Sequence, residues 1–143
     1  DAFLNFYTDP DNPALISGAA ASAANLYLGQ VWNSTGGYLQ VKSDLAVSNV
    51  LQGARFKNTV IDHQTGTVSV GTAEFGFEGS TFDYNLTGAG AVLNAGAIDL
   101  SNWNNTVATF TQDAGTVNVT NDLRLAVDSI PANPRAFYAM NDG

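Results

Sequence analysis

The sequence predicts an all-β fold, a parallel β-solenoid of about five coils with about 25 residues in each coil. Three observations lead to this prediction. Apolar and polar residues alternate over short segments. Glycines recur at Gly37, Gly66, Gly90 and Gly115, and a similar pattern of residues follows each of them. The Leu-rich helical stretches that a leucine-rich-repeat horseshoe of similar period requires are missing. A short strand unit cannot bury its apolar face alone, so its copies must stack on one another.

The clearest copy of the repeat covers residues 109–125. Phe110 precedes a turn that ends at Gly115, and Val117 and Val119 follow in alternation. After a polar corner the alternation resumes at Leu123 and Leu125, so this copy contains short strands with one buried face. Each coil is therefore expected to have roughly three strands with Gly, Asn and Asp at its corners.

The other copies place apolar residues at similar distances from their glycines. A bulky residue stands five positions before the glycine in three copies, at Trp32, Ile61 and Phe110. The third copy instead has Tyr84 and Leu86 on either side of that position, which indicates an extra residue in its turn. The inward positions predicted for these copies are Leu39, Val41, Leu45 and Val47; Val68, Val70, Phe75 and Phe77; and Val92, Asn94, Ile98 and Leu100.

The chain of 143 residues is predicted to form a single domain. Residues 1–29 give a strand, a loop and the first coil, 30–128 the four central repeats, and 129–143 a loop and a half-coil. The loop at 8–13 contains two prolines and three Asx residues, so it is a turn, with a calcium site as the alternative. Strand character returns at 14–17, and the alanine run at 18–24 is a coil corner, with a short capping helix as the alternative.

A low content of charged residues with a strongly acidic balance is compatible with a secreted bacterial surface protein. The formal net charge is −8, with 13 acidic and 5 basic residues, which argues against a nucleic-acid partner. No apolar run reaches the roughly 20 residues that a membrane span needs. Cysteine is absent, so neither disulfides nor thiolate metal sites are expected. The first residue is Asp1 rather than Met, which fits either a mature secreted form or an excerpt of a longer chain.

The two ends of the chain look like halves of one repeat. Gly143 resembles an anchor glycine with Tyr138 five residues before it, and the strand that should follow is missing. Counted on from Gly143, Ala2 and Leu4 fall where Val117 and Val119 follow Gly115, and Phe6 extends the alternation. The ends of two copies could therefore complete the split coil head-to-tail, which gives a filament. The alternative is an arbitrary cut from a longer array.

The repeat segments 24–29, 84–88, 108–119 and 122–125 resemble those of bacterial autotransporter passenger domains and related PEP-CTERM-type surface proteins. The resemblance covers about residues 14–128 and implies a right-handed parallel β-helix exported to the cell surface. Proteins of this class serve as adhesins, fibres and matrix components, and some carry enzymatic activity on inserted loops. The middle of this chain has no long inserted loop.

An enzyme is not predicted, and neither is a cofactor. Asp44 and Asp122 stand seven residues after their anchor glycines, at corners predicted to be equivalent. Alanines occupy that position in the two intervening copies, so no carboxylate pair follows from the repeat. His63 is a lone histidine and is read as a turn residue rather than a metal ligand. Trp32 and Trp103 are assigned to core or junction packing, with a platform for surface polysaccharide as the alternative.

We therefore expect an extracellular structural subunit whose partners are copies of itself, with no nucleic acid and no membrane span. The alternative is an adhesin or carbohydrate-binding segment of a larger autotransporter-like surface protein. The residues predicted to form the subunit junction are Ala2, Leu4, Phe6, Phe137, Tyr138, Met140 and Gly143.

Overall fold

The computed structural model describes residues 3–6, 11, 13–29, 36–53, 57–100, 105–125 and 135–140; for 3–6 and 135–140 it describes the strand and its pairing only. None of these residues lies in a helix, so this part of the chain contains no helix that could cross a bilayer. The strands are β1 (Phe3–Phe6), β2 (Ala14–Ile16), β3 (Ala21–Leu28), β4 (Gly37–Val41), β5 (Leu45–Gln52), β6 (Asn58–His63), β7 (Gly66–Phe75), β8 (Thr81–Leu86), β9 (Ala91–Leu100), β10 (Val107–Gln112), β11 (Thr116–Leu125) and β12 (Arg135–Met140).

The strands form two parallel sheets. The odd-numbered strands make one sheet of six, in the order β1-β3-β5-β7-β9-β11, which we call the odd sheet. The even-numbered strands make the other, in the order β12-β10-β8-β6-β4-β2, which we call the even sheet. The chain thus adds one strand to each sheet in every coil, and each strand is hydrogen-bonded to the strand one coil away. The prediction of an all-β parallel solenoid is confirmed.

The length of a coil can be followed along the even sheet. Leu39 pairs with Ile61, Ile61 with Tyr84, and Tyr84 with Phe110, at separations of 22, 23 and 26 residues. From β3 to β11 the chain completes about four turns. The predicted period of about 25 residues and the count of about five coils are therefore approximately right.

Within the described residues, each coil contains two strands rather than the predicted three. The polar corner does not end the odd-sheet strands. The ladder between β7 and β9 continues past it without a shift, and β5 and β11 continue past it with a shift of register. This shift lies between Val119 and Asp122 in β11 and between Val47 and Val50 in β5. A bulge lets two residues oppose one on the neighbouring strand and bends the sheet, so one long strand can carry both apolar pairs of a repeat.

Two of the four anchor glycines have the role that the sequence suggested. Gly66 and Gly115 begin or precede odd-sheet strands and have positive φ angles of 84° and 80°. A Cβ atom on Gly66 would lie 2.5 Å from the carbonyl carbon of Ser43, and one on Gly115 would lie 2.5 Å from the carbonyl oxygen of Ala91. Glycine is required at these turns both by conformation and by the close approach of the coil before.

The alignment on Gly37 was wrong. Gly37 begins β4 of the even sheet, where Leu39 and Val41 pair with Ile61 and His63. Leu45 and Val47 are the residues that pair with Val68 and Val70 in the odd sheet. The predicted alignment of the first repeat was therefore wrong by one strand. The alternation of apolar residues is the same in strands of both sheets, so it does not show to which sheet a strand belongs.

The alignment on Gly90 was also wrong, by one residue. Leu93 and Ala95 face the core, whereas Val92 and Asn94 are only partly buried and pair with Thr67 and Ser69 of the coil before. The turn after Tyr84 is longer than its counterparts at Gly66 and Gly115, as the sequence indicated. Because side chains alternate with a period of two, a one-residue error reverses the predicted facing of a whole strand. In the second copy the predicted inward pair, Phe75 and Phe77, was two residues too late, because Ala73 and Phe75 are the buried pair that aligns with Ile98 and Leu100.

Stacked aromatic rings fill the middle of the core. The ring centroids of Phe75 and Phe82 are 4.4 Å apart, those of Phe75 and Tyr84 are 5.2 Å apart, and those of Tyr84 and Phe110 are 5.1 Å apart. All four side chains are fully buried. These rings join the two sheets across the interior, in the offset arrangements that aromatic pairs favour.

The segments near the N-terminus agree with the predicted strands. The predicted strands at 1–6 and 14–17 correspond to β1 and β2, and the alanine run does not form a helix. Bends occur at Gly18 and Ala19, but β3 already begins at Ala21, four residues before the point expected from the sequence. Pairing with β5 outweighs the helix propensity of the alanines, because in a solenoid each strand gains a full ladder of hydrogen bonds.

Candidate assembly surfaces

The two ends of the solenoid are the candidate functional surfaces, and the strand order defines which elements form them. At the N-terminal end β1 is the last strand of the odd sheet and β2 is the last strand of the even sheet. At the C-terminal end these places are taken by β11 and β12. Each of these four strands pairs with a strand of its own chain on one side only, within the part of the chain that the structure describes. An unpaired strand edge is a template for a further strand.

The C-terminal end exposes apolar residues that belong to the inside of the coil. Leu123 and Leu125 pair with Ile98 and Leu100, which are buried, yet they are 49% and 54% exposed. Their pairing with buried residues indicates that both leucines face the inside of the coil. They are exposed because no described strand stacks on β11. The sequence predicted both as core, since alternation alone does not show that β11 is the last described strand of its sheet.

The core is also open beneath this last coil. A cavity of about 320 Å³ lies against Ile98, Leu100, Phe110, Val117 and Leu123. Val117 and Val119 are only partly buried, although Leu93 and Ala95, their partners in β9, are buried. Among the described residues, the C-terminal cross-section is therefore apolar and incompletely covered, as it is where a repeat stack has no capping element over its last unit.

The N-terminal end carries one exposed large hydrophobic residue among those whose side chains are described. Leu15 of β2 is 55% exposed, while its neighbour Ile16 is buried. Leu15 faces outward, and its partner in the next coil is Gln40. Sequence reasoning did not single out Leu15, because it alternates with Ala14 and Ile16 and looks like any outward residue of a strand.

The predicted junction residues fall on opposite ends and on different sheets. Leu4 and Phe6 lie on β1 of the odd sheet, whereas Phe137, Tyr138 and Met140 lie on β12 of the even sheet. Ala2 and Gly143 lie outside the described residues. The proposed equivalence of Leu4 with Val119 was wrong. Leu4 pairs with Leu26, and the ladder from Leu26 through Leu51, Ala73 and Ile98 ends at Leu123.

The register of β1 therefore differs by four residues from a simple continuation of the repeat. Counting from the glycine ignored the bulge inside the long odd-sheet strands, and it also assumed a standard turn length across the gap between the two termini. Leu4, Asn5 and Phe6 stand in the columns that end at Leu123, Arg124 and Leu125.

A column of polar residues runs along the odd sheet to the C-terminal end. Gln52 donates a hydrogen bond from Nε2 to a carboxylate oxygen of Glu74, and Glu74 pairs in the ladder with Asp99. Arg124 donates from Nη1 to Asp99, at 3.3 Å from Oδ1, and from Nη2 to Asp122, at 2.7 Å from Oδ2. Burial raises the pKa of Asp99, and the neighbouring Arg124 opposes that rise. Arg124 therefore stabilises a nearly buried carboxylate next to the open end.

His63 is the last residue of β6 and lies in the core, so its assignment to a turn was wrong. Its Nε2 atom is 2.9 Å from the carbonyl oxygen of Gly66, and its Nδ1 atom is 2.9 Å from the hydroxyl of Tyr84. A carbonyl oxygen can only accept, so Nε2 carries the proton and Nδ1 accepts from Tyr84. Burial lowers the pKa of His63, which favours this neutral form.

The carboxylates considered for catalysis do not meet. Asp44 stands between β4 and β5 and accepts a hydrogen bond from the backbone N–H of Thr67 at 2.8 Å. Asp122 lies within β11 and pairs with Ala97, so the two aspartates are not at equivalent positions. Among the described residues no group of three or more His, Cys, Asp or Glu side chains is arranged to hold a metal ion. Trp32, Trp103 and most of the proposed calcium loop lie outside the described residues.

A groove follows the outer side of the odd sheet where its strands bend. Its volume is about 800 Å³, and it crosses five coils between Ser22 and Asn118. Small residues and amides line it, and Asn118 donates a hydrogen bond to the Oδ1 atom of Asn94 at 2.9 Å. The groove results from the bend together with the short side chains along it.

Comparison of the chain with protein-family models, with curated proteins and with solved structures finds no match. The account of function therefore depends on the geometry of the chain itself.

Proposed function

We propose that this chain is a non-enzymatic structural subunit of an extracellular filament, in which β-solenoids polymerise head-to-tail. The observation that carries the proposal is the exposure of Leu123 and Leu125, inward-facing residues of a terminal strand on which no described strand stacks. A right-handed coil and a location outside the cell are part of the proposal. The acidic composition without cysteine and the resemblance to surface-protein repeats support them.

The junction would continue both sheets in the same direction. The β1 strand of one copy would stack on β11 of the copy before it, and β2 would stack on β12. Because all pairs within the chain are parallel, a translated copy presents strands in the same orientation, which strand addition requires. A heterologous contact of this kind does not close on itself and gives an open fibre.

Register assigns the residues that would meet at this junction. Continuing the odd-sheet ladders would place Leu4 on Leu123 and Phe6 on Leu125. Continuing the even-sheet ladders would place Ala14 on Tyr138 and Ile16 on Met140, since these pairs end the columns that contain Phe110 and Gln112. The junction is thus two layers of matching strands. It replaces the direct contact between Leu4 or Phe6 and the β12 residues that the sequence suggested.

The proposal is tested by placing a charge at each side of the junction. Leu4→Asp and Leu123→Asp should each raise the protein concentration needed for assembly more than about tenfold, because burial of one leucine contributes about 1.5–3 kcal/mol and a buried carboxylate adds a further cost. The matched control is Ala46→Asp, which places the same charge on an exposed outer position away from both ends.

Assembly is measured by sedimentation and negative-stain electron microscopy, with circular dichroism to confirm that the variants keep their β structure. Assembly by the folded Leu4→Asp and Leu123→Asp variants at wild-type concentrations would contradict the proposed junction. Loss of assembly in the Ala46→Asp variant as well would show that added charge alone prevents it.

A further inference from the structure

We propose that Arg124 positions the part of β11 that receives the next copy in the filament. Its guanidinium group ties this part of β11 to β9 and so holds it in the register that β1 of the next copy requires. The inference rests on the head-to-tail assembly proposed above and names the residue that prepares one side of the junction.

The pairing of β1 shows which part of β11 takes part in the junction. Residues 3–5 of β1 pair with residues 25–27 of β3. Followed through β5, β7 and β9, their columns end at residues 122–124 of β11. We call residues 122–125 the receiving segment. Its register relative to β9 decides which of its residues the next copy would meet.

The receiving segment follows a shift in the ladder between β9 and β11. Before the shift, paired residues are 24 positions apart, as Val119 and Ala95 are. After it they are 25 positions apart, as Arg124 and Asp99 are. If the first separation continued, Arg124 would pair with Leu100 instead, and the whole segment would present its opposite face, because side chains alternate with a period of two.

Burial holds this register less firmly in β11 than in the strands inside the stack. The inward pair of β9, Ile98 and Leu100, is almost completely buried, whereas Leu123 and Leu125 remain about half exposed. Hydrophobic stabilisation is proportional to the apolar area removed from water, so the pair in β11 contributes roughly half as much. A polar contact that depends on register therefore matters more in this strand.

Arg124 makes such a contact. Its Nη1 atom lies 3.3 and 3.4 Å from the two carboxylate oxygens of Asp99 on β9, and its Nη2 atom lies 2.7 Å from Oδ2 of Asp122. The side chain of Asp99 is only 6% exposed, and a nearly buried carboxylate is unfavourable without a countercharge. A slip of one residue would take Arg124 away from Asp99, so this ion pair opposes the slip.

The place of the arginine in its column fits a role at the end of the stack. The members of the column are Asn5, Tyr27, Gln52, Glu74, Asp99 and Arg124. Among them only Arg124 is cationic, and it stands on β11, the last described strand of the odd sheet. The strands inside the stack, which pair on both sides, keep their register without a cation in this column.

Replacement of the arginine tests this role. Arg124→Ala should raise the critical concentration for assembly about three- to tenfold, because the receiving segment is no longer tied to β9. Arg124→Lys keeps the charge but not the planar group that reaches both carboxylates, so its effect should be smaller. The matched control is Lys57→Ala, which removes the same charge from an exposed residue in the middle of the chain and should stay within about twofold of the wild type.

A double variant separates positioning from stability of the fold, because Arg124→Ala also leaves Asp99 without a countercharge. Asp99→Asn with Arg124→Ala removes both charges and should recover the midpoint of urea unfolding. Its critical concentration should nevertheless stay at least about threefold above that of the wild type. Recovery of both quantities would show that Arg124 serves only the fold of its own copy, and this would overturn the inference.

A mixing experiment locates the defect at one end. The Arg124→Ala variant keeps its N-terminal end, so it should add to β11 of a wild-type filament and then receive the next molecule poorly. Variant present at on the order of one molecule in ten should therefore shorten wild-type filaments in electron micrographs more than Lys57→Ala does. Equal lengths, or assembly of Arg124→Ala at wild-type concentrations, would overturn the role of Arg124 and leave the head-to-tail proposal standing. Failure of the wild-type chain to assemble would overturn both.

Discussion

His63 and Tyr84 form a buried polar contact inside an otherwise apolar core. Both side chains are fully buried, and their rings meet edge to face with centroids 6.1 Å apart. The histidine is satisfied at both nitrogens, by Gly66 and by Tyr84. A fully satisfied polar pair of this kind can stabilise the core, but removal of one partner leaves the other unpaired in an apolar environment.

Tyr84→Phe should lower the free energy of unfolding by about 1–3 kcal/mol, because it leaves Nδ1 of His63 without a donor. The matched comparison is the double variant His63→Leu with Tyr84→Phe, which removes both polar groups. Its loss in the free energy of unfolding should be smaller than the sum of the losses for the two single variants. Urea denaturation followed by circular dichroism measures both. Equal stability of Tyr84→Phe and the wild type would contradict the hydrogen bond.

The pH dependence of stability should also report on His63. Because burial lowers its pKa in the folded chain, the unfolded chain binds the proton more readily. The contribution of His63 is therefore fully present above the unfolded pKa of about 6.5 and is lost as the pH falls from there toward the folded pKa.

We expect the stability of the wild type to fall between pH 7.5 and pH 5.5 by more than that of His63→Leu, with a limiting slope of about 1.4 kcal/mol per pH unit. Comparison with this variant removes the contributions that other ionisable groups make to the pH dependence. Parallel pH profiles for the two proteins would show that His63 is not the group responsible.

At the scale of elements, a strand in the middle of the odd sheet combines one buried and one outer face, as β7 shows. Val68, Val70, Ala73 and Phe75 are buried, whereas Ser69 and Thr72 are partly exposed. Phe75 contacts the rings of Phe82, Tyr84 and Phe110. Much of the packing between the two sheets therefore depends on this one side chain.

Phe75→Ala should lower the free energy of unfolding by about 3–5 kcal/mol, because it opens a cavity in the middle of the aromatic stack. Ser69→Ala on the outer face of the same strand should change it by less than about 0.5 kcal/mol. Thermal and urea unfolding of the two variants gives the comparison. A loss below about 1 kcal/mol for Phe75→Ala would mean that the rings do not pack as described.

Much of the architecture of single elements could be predicted from the sequence. The period, the strands and the turn glycines Gly66 and Gly115 follow from alternation and from the need for positive φ. The errors at Gly37 and Gly90 arose because both sheets show the same alternation and because one longer turn changes its phase. The bulges were not visible, since a bulge and a corner between two strands leave similar polar residues in the sequence.

The ends illustrate a different limit. The sequence suggested which residues belong to the terminal half-coils, and β1 and β12 are strands at the outer edges of the two sheets. It did not show that Leu4 shares a column with Leu123, because this requires the register of every coil between them. Leu15, Leu123 and Leu125 have ordinary strand patterns, and their exposure depends on their position in the stack.

At the scale of the whole molecule, the described residues form two sheets of six strands each, and all of these strands run parallel to their neighbours. Neither end has a helix among the described residues, and the apolar side chains of the last odd-sheet strand remain half exposed. A stack that ends in this way can be extended by a copy of itself without changing the direction or spacing of its strands.

The central claim is that one molecule continues the sheets of another, and the axial rise of the assembly tests it most directly. Helical reconstruction by cryo-electron microscopy should give a rise of about 29 Å per subunit, six strand spacings of about 4.8 Å, with β1 on β11 and β2 on β12. Filaments with another rise or with a two-fold contact between like ends would contradict the account. So would protein that stays monomeric at high concentration.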